Sequence, residues 1–207
     1  MSRHAYSTFD QGQSTIPRMF VSRAGQKLDH AIVTFGVDVR GATCSDLGCS
    51  TGGFVDCLLQ RGAAKVYAVD TGYGVLEYKL RKDPRVVVME RTNAMHVTLP
   101  EAVDWVSIDV AWTKQKHILP SAMKLLKPGT GRVITLIKPH YEADPSLLKQ
   151  GILPAEAIDA VVTDVIKQIT QVGFEVLSTV TSPILGAKGN TEILALLKTR
   201  DVFEPTS

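Results

Sequence analysis

Three observations predict a Rossmann-like α/β fold, with a seven-stranded, mostly parallel sheet, an antiparallel last strand and helices on both faces. Short apolar runs alternate with longer amphipathic ones from Ala42 onward, the pattern of βαβ crossovers. A glycine-rich segment, Asp46-Leu-Gly-Cys-Ser-Thr-Gly-Gly-Phe54, joins the first apolar run to a helical one. The last two runs are separated by Ser182–Asn190, which has no helical period and leaves the final strand free to reverse direction.

The elements follow in order. The first 20 residues mix Ser, Thr, Gln, Gly and Asp without periodicity, the composition of a flexible arm. Ser22 then offers an N-cap. Ala24, Leu28, Ala31, Ile32 and Phe35 recur at helical spacing up to Gly36, a natural stop. Strands are expected at Ala42–Leu47, Lys65–Val69, Val86–Met89, Trp105–Ile108, Arg132–Ile137, Glu175–Val180 and Ile193–Leu197. Helices are expected at Gly53–Arg61, Val75–Arg81, Lys114–Leu126 and Pro154–Val172. The whole is one domain over residues 21–200, followed by a short tail at 201–207.

Composition narrows the function classes. With 207 residues the chain can bury roughly 70% of its unfolded surface and needs no disulfide or metal staple. Its 23 basic and 21 acidic residues leave a net charge of +2, which excludes a strongly basic nucleic-acid coat but not a local basic face. One such stretch exists: residues 111–150 hold seven Lys/Arg against two acids, and residues 151–175 reverse the balance. Cys44, Cys49 and Cys57 have neither CxxC nor His-paired spacing, so no metal site is expected and a reducing compartment fits. The polar N-terminus and the lack of an apolar run of about 18 residues point to a cytoplasmic location without membrane contact.

The glycine-rich segment lies where an open sheet binds ligands. Gly48 allows a tight turn, Gly52 lets backbone approach a ligand, and Gly53 begins a helix whose N–H groups face the loop. The DxGxxxGG spacing makes a wider loop than GxGxxG, suited to an amino acid plus a nucleoside. Asp70, at the end of the second strand, is placed to accept from two ribose hydroxyls, which indicates an adenosine-containing cofactor. Asn93 offers donor and acceptor together for an adenine edge. Beyond the loop, Asp109 ends the fourth strand, Lys138 ends the fifth before Pro139, Glu192 begins the last, and Lys27 is polar on the first helix. Together they form two cations and two anions beside the cofactor loop. Trp112, His140 and Tyr141 fall near the same edge, where they could stack a splayed base.

Asp46–Phe54, Asp109, the Lys138-Pro pair and Gly189-Asn-Thr-Glu192 resemble the FtsJ-type ribose 2′-O-methyltransferases. Val21-Ser-Arg-Ala-Gly-Gln-Lys-Leu-Asp29, Val39-Arg-Gly41 and Ile184-Leu-Gly-Ala-Lys-Gly-Asn190 are similar to the TlyA, or hemolysin A, branch, which methylates ribosomal RNA. The resemblance covers about residues 21–198 and implies a class I methyltransferase that uses S-adenosylmethionine. It carries Lys27, Asp109, Lys138 and Glu192 onto the family's catalytic tetrad. The expected cofactor set is Asp46, Gly48, Ser50, Thr51, Gly52, Gly53, Phe54, Asp70, Asn93 and Asp109.

Lys138 is then the expected base for a ribose 2′-hydroxyl, Asp109 its orienting partner, and Lys27 and Glu192 the holders of ribose and phosphate. Lys138-Pro-His-Tyr-Glu-Ala departs from the branch's usual Lys-Pro-Gln-Phe-Glu-Ala. The branch also carries an S4 RNA-binding domain ahead of this fold, which the roughly 20 residues before Val21 do not supply, so an RNA-binding partner is expected in its place. Ribosomal RNA or a ribosomal particle is the expected substrate. Two other assignments use the same loop: a methyltransferase acting on a small molecule or protein, and a non-catalytic, cofactor-binding RNA or assembly factor.

Overall fold

The computed structural model describes residues 19–200. The expected arm falls outside these residues except at Met19 and Phe20, and the expected tail lies outside them altogether. The element order is α1 (Ala24–Phe35), β1 (Thr43–Leu47), α2 (Gly53–Gln60), β2 (Lys65–Val69), α3 (Tyr78–Arg81), β3 (Val86–Met89) and β4 (Trp105–Ile108). There follow α4 (Gln115–Leu125), β5 (Arg132–Ile137), α5 (Pro139–Glu142), α6 (Ala155–Gln171), β6 (Phe174–Thr181) and β7 (Ile193–Thr199).

The seven strands form one sheet in the order β3-β2-β1-β4-β5-β7-β6. All neighbouring pairs from β3 to β5 are parallel, and β7 runs antiparallel between β5 and β6. Side chains alternate across the pleat and divide the core in two. Ile134 and Leu136 of β5 and Leu194 and Leu196 of β7 join one layer with α1 and α2. Val133 and Ile137, with Ile193, Ala195 and Leu197, join the other with α4 and α6. This is the expected Rossmann-like α/β architecture. No described helix is long and apolar enough to cross a membrane.

The strand bounds agree with the sequence pattern to within one or two residues; the differences among helices have local causes. Ser22 does not cap α1: Arg23 holds that position with no side-chain bond, and the Ser22 carbonyl accepts from Gly25 N at 3.1 Å. The helix expected from Val75 begins only at Tyr78. The Gly74, Val75 and Leu76 amides donate to the Glu90 carboxylate instead of joining a helical ladder. The short α5 turn has no apolar period to announce it. It follows from Pro139, whose ring suits the first helical position.

Two registers position the site. The carboxyl ends of β1, β2, β4 and β5 lie on one edge, and the order reverses between β1 and β4, where open sheets place their ligands. Ile137 of β5 pairs with Ile193 of β7, so Lys138 and Glu192 emerge at that same edge.

Candidate active site

Gly48 sets the floor of the cleft. Its φ is +87°, and a Cβ there would lie 2.6 Å from the Asp109 carbonyl oxygen, so only glycine lets the β1 and β4 exits approach this closely. The Gly48 and Cys49 amides both donate to the Val69 carbonyl, and Ser50 N donates to Asp70 Oδ2 at 2.8 Å. Asp70 Oδ1 accepts from Gly72 N at 2.7 Å. Each of its oxygens keeps a second lone pair for a ligand hydroxyl.

Gly52 makes a close contact within the chain. With φ +100°, its missing side chain is replaced by Leu76 and Leu80 of the same chain, which pack where a Cβ would be. Gly53 likewise makes room for Ser22, Ala24 and Gly25, which brings the start of α1 against the start of α2. Thr51 turns to the α3 segment, its carbonyl accepting from Glu77 N.

Two lobes open on this loop. One, of about 310 Å³, is lined by Gly48, Ser50, Asp70, Asn93, Asp109 and Trp112 among others. The other, of about 280 Å³, is lined by Ser22, Asp46, Gly48, Phe54, Asp109 and Lys138 among others. Gly48, Ser50, Asp109 and Ala111 belong to both walls, so the lobes form one bent cleft. Of the expected cofactor set, Thr51, Gly52 and Gly53 line neither lobe and shape the cleft from behind. Asn93 commits its side-chain oxygen to Met95 N at 2.9 Å and leaves its NH2 to donate.

Asp46 lies at the bottom of the second lobe. Its Oδ1 accepts from Ser107 Oγ at 2.7 Å, while its Oδ2 is buried with no hydrogen-bond partner. Burial pushes its carboxyl up to about 8, opposed by the Ser107 bond and reinforced by Asp109 and Asp70.

The four charged residues form two pairs. Lys138 Nζ lies 2.6 Å from Asp109 Oδ1 and donates to the Val110 carbonyl at 3.1 Å, and both side chains face the second lobe. Lys27 Nζ meets Glu192 Oε2 at 2.5 Å, and this pair is buried behind the cleft wall without lining it. Gly186 packs directly on the Glu192 carboxylate, where a Cβ would overlap it. Between the pairs stands His140, buried and with an unpartnered Nδ1. Burial holds its imidazole below the usual value; Glu192 opposes this and Lys138 adds to it.

The expected aromatic residues pack in a row from the buried His140 through Tyr141 to Trp112, which lines the first lobe. Tyr141 is 4.2 Å from His140 and 5.9 Å from Trp112 between ring centroids, and Lys138 Nζ lies 6.0 Å over the Tyr141 ring. Trp112, with φ +56°, is 81% exposed. Sequence reasoning did not find the part of Ser22 and Ala24 in the second lobe, nor the Val110 carbonyl that holds Lys138. The only sequence signal for the first was Gly53 itself, a small residue facing the start of α1.

The model of the FtsJ-like methyltransferases matches residues 20–199. A protein named Hemolysin A from Brachyspira hyodysenteriae is 42% identical over 182 residues, covering 85% of this chain and 75% of its own. The 16S/23S rRNA (cytidine-2′-O)-methyltransferase TlyA of Mycobacterium tuberculosis is 37% identical over 199 residues, 88% of this chain and 70% of its own. Among solved structures, a hemolysin-type protein from Streptococcus thermophilus superposes with a TM-score of 0.86 at 38% identity, covering 91% of this chain and 70% of that one. A family match across the whole described domain, together with a glycine loop, an acidic second-strand end and a Lys–Asp pair at the switch point, leads to one assignment. This chain belongs to the FtsJ-like methyltransferase family.

Proposed function

We propose that this chain transfers a methyl group from S-adenosylmethionine to a ribose 2′-hydroxyl of ribosomal RNA, with residues 21–200 as the catalytic domain. The observation that carries the reading is the Lys138–Asp109 pair at 2.6 Å on the wall of the second lobe, one bend away from Asp70. The M. tuberculosis relative is named for this reaction on cytidine.

The cleft suits the cofactor on two counts. Asp70 and the Asn93 NH2 line the lobe sized for a nucleoside. The unpartnered Asp46 Oδ2 gives the other lobe a buried carboxylate oxygen, the partner an amino-acid ammonium needs. S-adenosylmethionine, when bound, supplies a methyl group on a cationic sulfur whose leaving thioether needs no further activation.

The chain's own residues do the rest. As the neutral amine, with N–H groups directed at Asp109 and the Val110 carbonyl and its lone pair left for the hydroxyl, Lys138 Nζ takes the hydroxyl proton. Trp112 and Tyr141 offer ring faces beside it for the base of the target nucleotide. Lys27 and Glu192 neutralise each other in this geometry, so they hold the ribose only if their contact opens; closed, they and His140 form the wall behind Lys138.

The test is incubation with methyl-labelled S-adenosylmethionine and ribosomal particles, followed by mapping of the modified ribose. Label in a ribose 2′-O-methyl group, lost in Lys138→Ala while cofactor affinity stays within a few-fold, is the expected result. Label on a base, or only in small molecules, would overturn the reading.

A further inference from the structure

The segment joining β2 to β3 carries two aromatic rings that the cleft does not use. Tyr73 is 72% exposed and Tyr78 is 67% exposed, and neither lines a lobe. Each ring has a cation over it: the Arg91 guanidinium at 4.0 Å from the Tyr73 centroid, and Lys82 Nζ at 5.4 Å from that of Tyr78. Among the described residues these two cations make no ion pair. Their neighbours Lys79, Arg81 and Arg85 are each neutralised, by Asp56, Glu90 and Asp83. The unspent positive charge of this surface therefore coincides with its exposed rings.

The mounting is rigid. Glu90 accepts from the Gly74, Val75 and Leu76 amides and from Arg81, and its carboxyl is held down at about 2, chiefly by Arg81. Asp70 accepts from Gly72 N, and Arg91 N donates to the Gly72 carbonyl at 3.0 Å. Exposed rings on a pinned segment need little ordering when a partner arrives. Residues on either side of them, Thr71 and Thr92, line the adenosine lobe, so the surface borders the mouth of the cleft. Aromatic faces with unpaired cations beside them match a chain of stackable bases joined by phosphates.

We infer that Tyr73, Tyr78, Arg91 and Lys82 form a docking face for a single-stranded stretch of the RNA substrate flanking the target nucleotide. The inference rests on the ribosomal-RNA reading above and adds a second contact zone to it. Bases stack on the two tyrosines, and the phosphates between them meet Arg91 and Lys82.

The experiment measures binding of a fluorescently labelled, single-stranded oligoribonucleotide of about 12 nucleotides. Tyr73→Ala and Tyr78→Ala are each expected to weaken it on the order of tenfold, whereas Tyr73→Phe and Tyr78→Phe retain wild-type affinity. Arg91→Gln and Lys82→Gln should each reduce the slope of log affinity against log salt by about one. Melting temperature and S-adenosylmethionine affinity are expected to stay at wild-type values, which separates a docking role from loosening of the loop. A Tyr73→Ala/Tyr78→Ala double variant that binds the oligonucleotide like wild type overturns the inference, as does equal affinity for a duplex of the same sequence. The methylation reading fails separately, when the wild-type chain labels no ribose in ribosomal particles. The oligonucleotide arm still decides the docking face in that case, and a wild-type chain that does not bind the oligonucleotide overturns it.

Discussion

Binding of S-adenosylmethionine near pH 6.5 is expected to release close to one proton, and Asp46→Asn is expected to abolish that release. The Asp46 carboxyl is fully enclosed, with one oxygen bonded to Ser107 and the other without a partner, and burial raises it to about 8. Without ligand it is therefore almost wholly protonated at about pH 6.5. An ammonium placed against Oδ2 favours the carboxylate, so binding expels the proton. Linkage then makes the affinity rise by up to about tenfold per pH unit between roughly pH 5 and 7.5. As pH passes about 8 the carboxylate forms without the ligand, and the free ligand's own α-amino group, titrating at about 7.7–8.0, loses its charge over the same range.

Calorimetry in buffers of different ionisation enthalpy reads the proton count directly. 5′-Methylthioadenosine, which lacks the amino-acid portion, is the control and should release none. The same shift has a stability sign. A carboxyl whose folded value is raised stabilises the ligand-free fold most below its unfolded value near 4, and loses that contribution as pH rises toward 8. Asp46→Asn should therefore gain in melting temperature relative to wild type as pH is raised from about 5 to 8. A proton count of zero for S-adenosylmethionine, or equal counts for both ligands, would refute the assignment of Asp46 to the ammonium.

Three further outcomes follow. Lys138→Ala should lower single-turnover methyl transfer by about 10²–10⁴-fold, the usual worth of a placed base, with little change in cofactor affinity; retention of most of the rate would remove Lys138 from that role. Gly48→Ala combines a φ of +87° with a Cβ 2.6 Å from the Asp109 carbonyl, so a stability loss of at least about 1–3 kcal/mol and a displaced Asp109 are expected; an unchanged denaturation midpoint would contradict it. Glu90→Gln should melt earlier than wild type at neutral pH. Because the Glu90 carboxyl is held down at about 2, its contribution is present above its unfolded value and lost as pH falls from about 4.5 toward 2, so the two melting curves should converge there.

Much of the fold was legible because its signals are local and repeated. β2, β4 and β5 are short, largely apolar runs each closed by a charged residue, so Asp70, Asp109 and Lys138 could be placed at strand ends without knowing what they touch. Direction along β7 was readable from the missing helix before it. Pairing was not. No spacing tells that Lys27 is spent on Glu192 while Lys138 is spent on Asp109, since that depends on how α1 sits against β7. The packing at Gly52 was hidden for a related reason: nothing in one dimension tells that its Cβ side is filled by Leu76 and Leu80. The shortened α3 also escaped, because a carboxylate from β3's end takes the amides that its first turn would have used.

The charges of the cleft also suggest an order of events. Among the described lining residues, Asp70 and Asp109 stand against Lys138 while Asp46 is held neutral, a balance that attracts a cationic cofactor and repels an RNA phosphate. Burial keeps Asp46 neutral until a cation arrives, which avoids holding three carboxylates together in the open cleft. Once an ammonium and a sulfonium are in place, the negative balance is offset and a polyanion can approach the same mouth. Arg91 and Lys82, the cations of the inferred docking face, sit outside the lobes, where they do not compete for the carboxylates the cofactor needs. Cofactor before RNA is thus the sequence the electrostatics favour, and oligonucleotide affinity should rise when S-adenosylmethionine is present; an affinity that falls on cofactor addition would contradict that order.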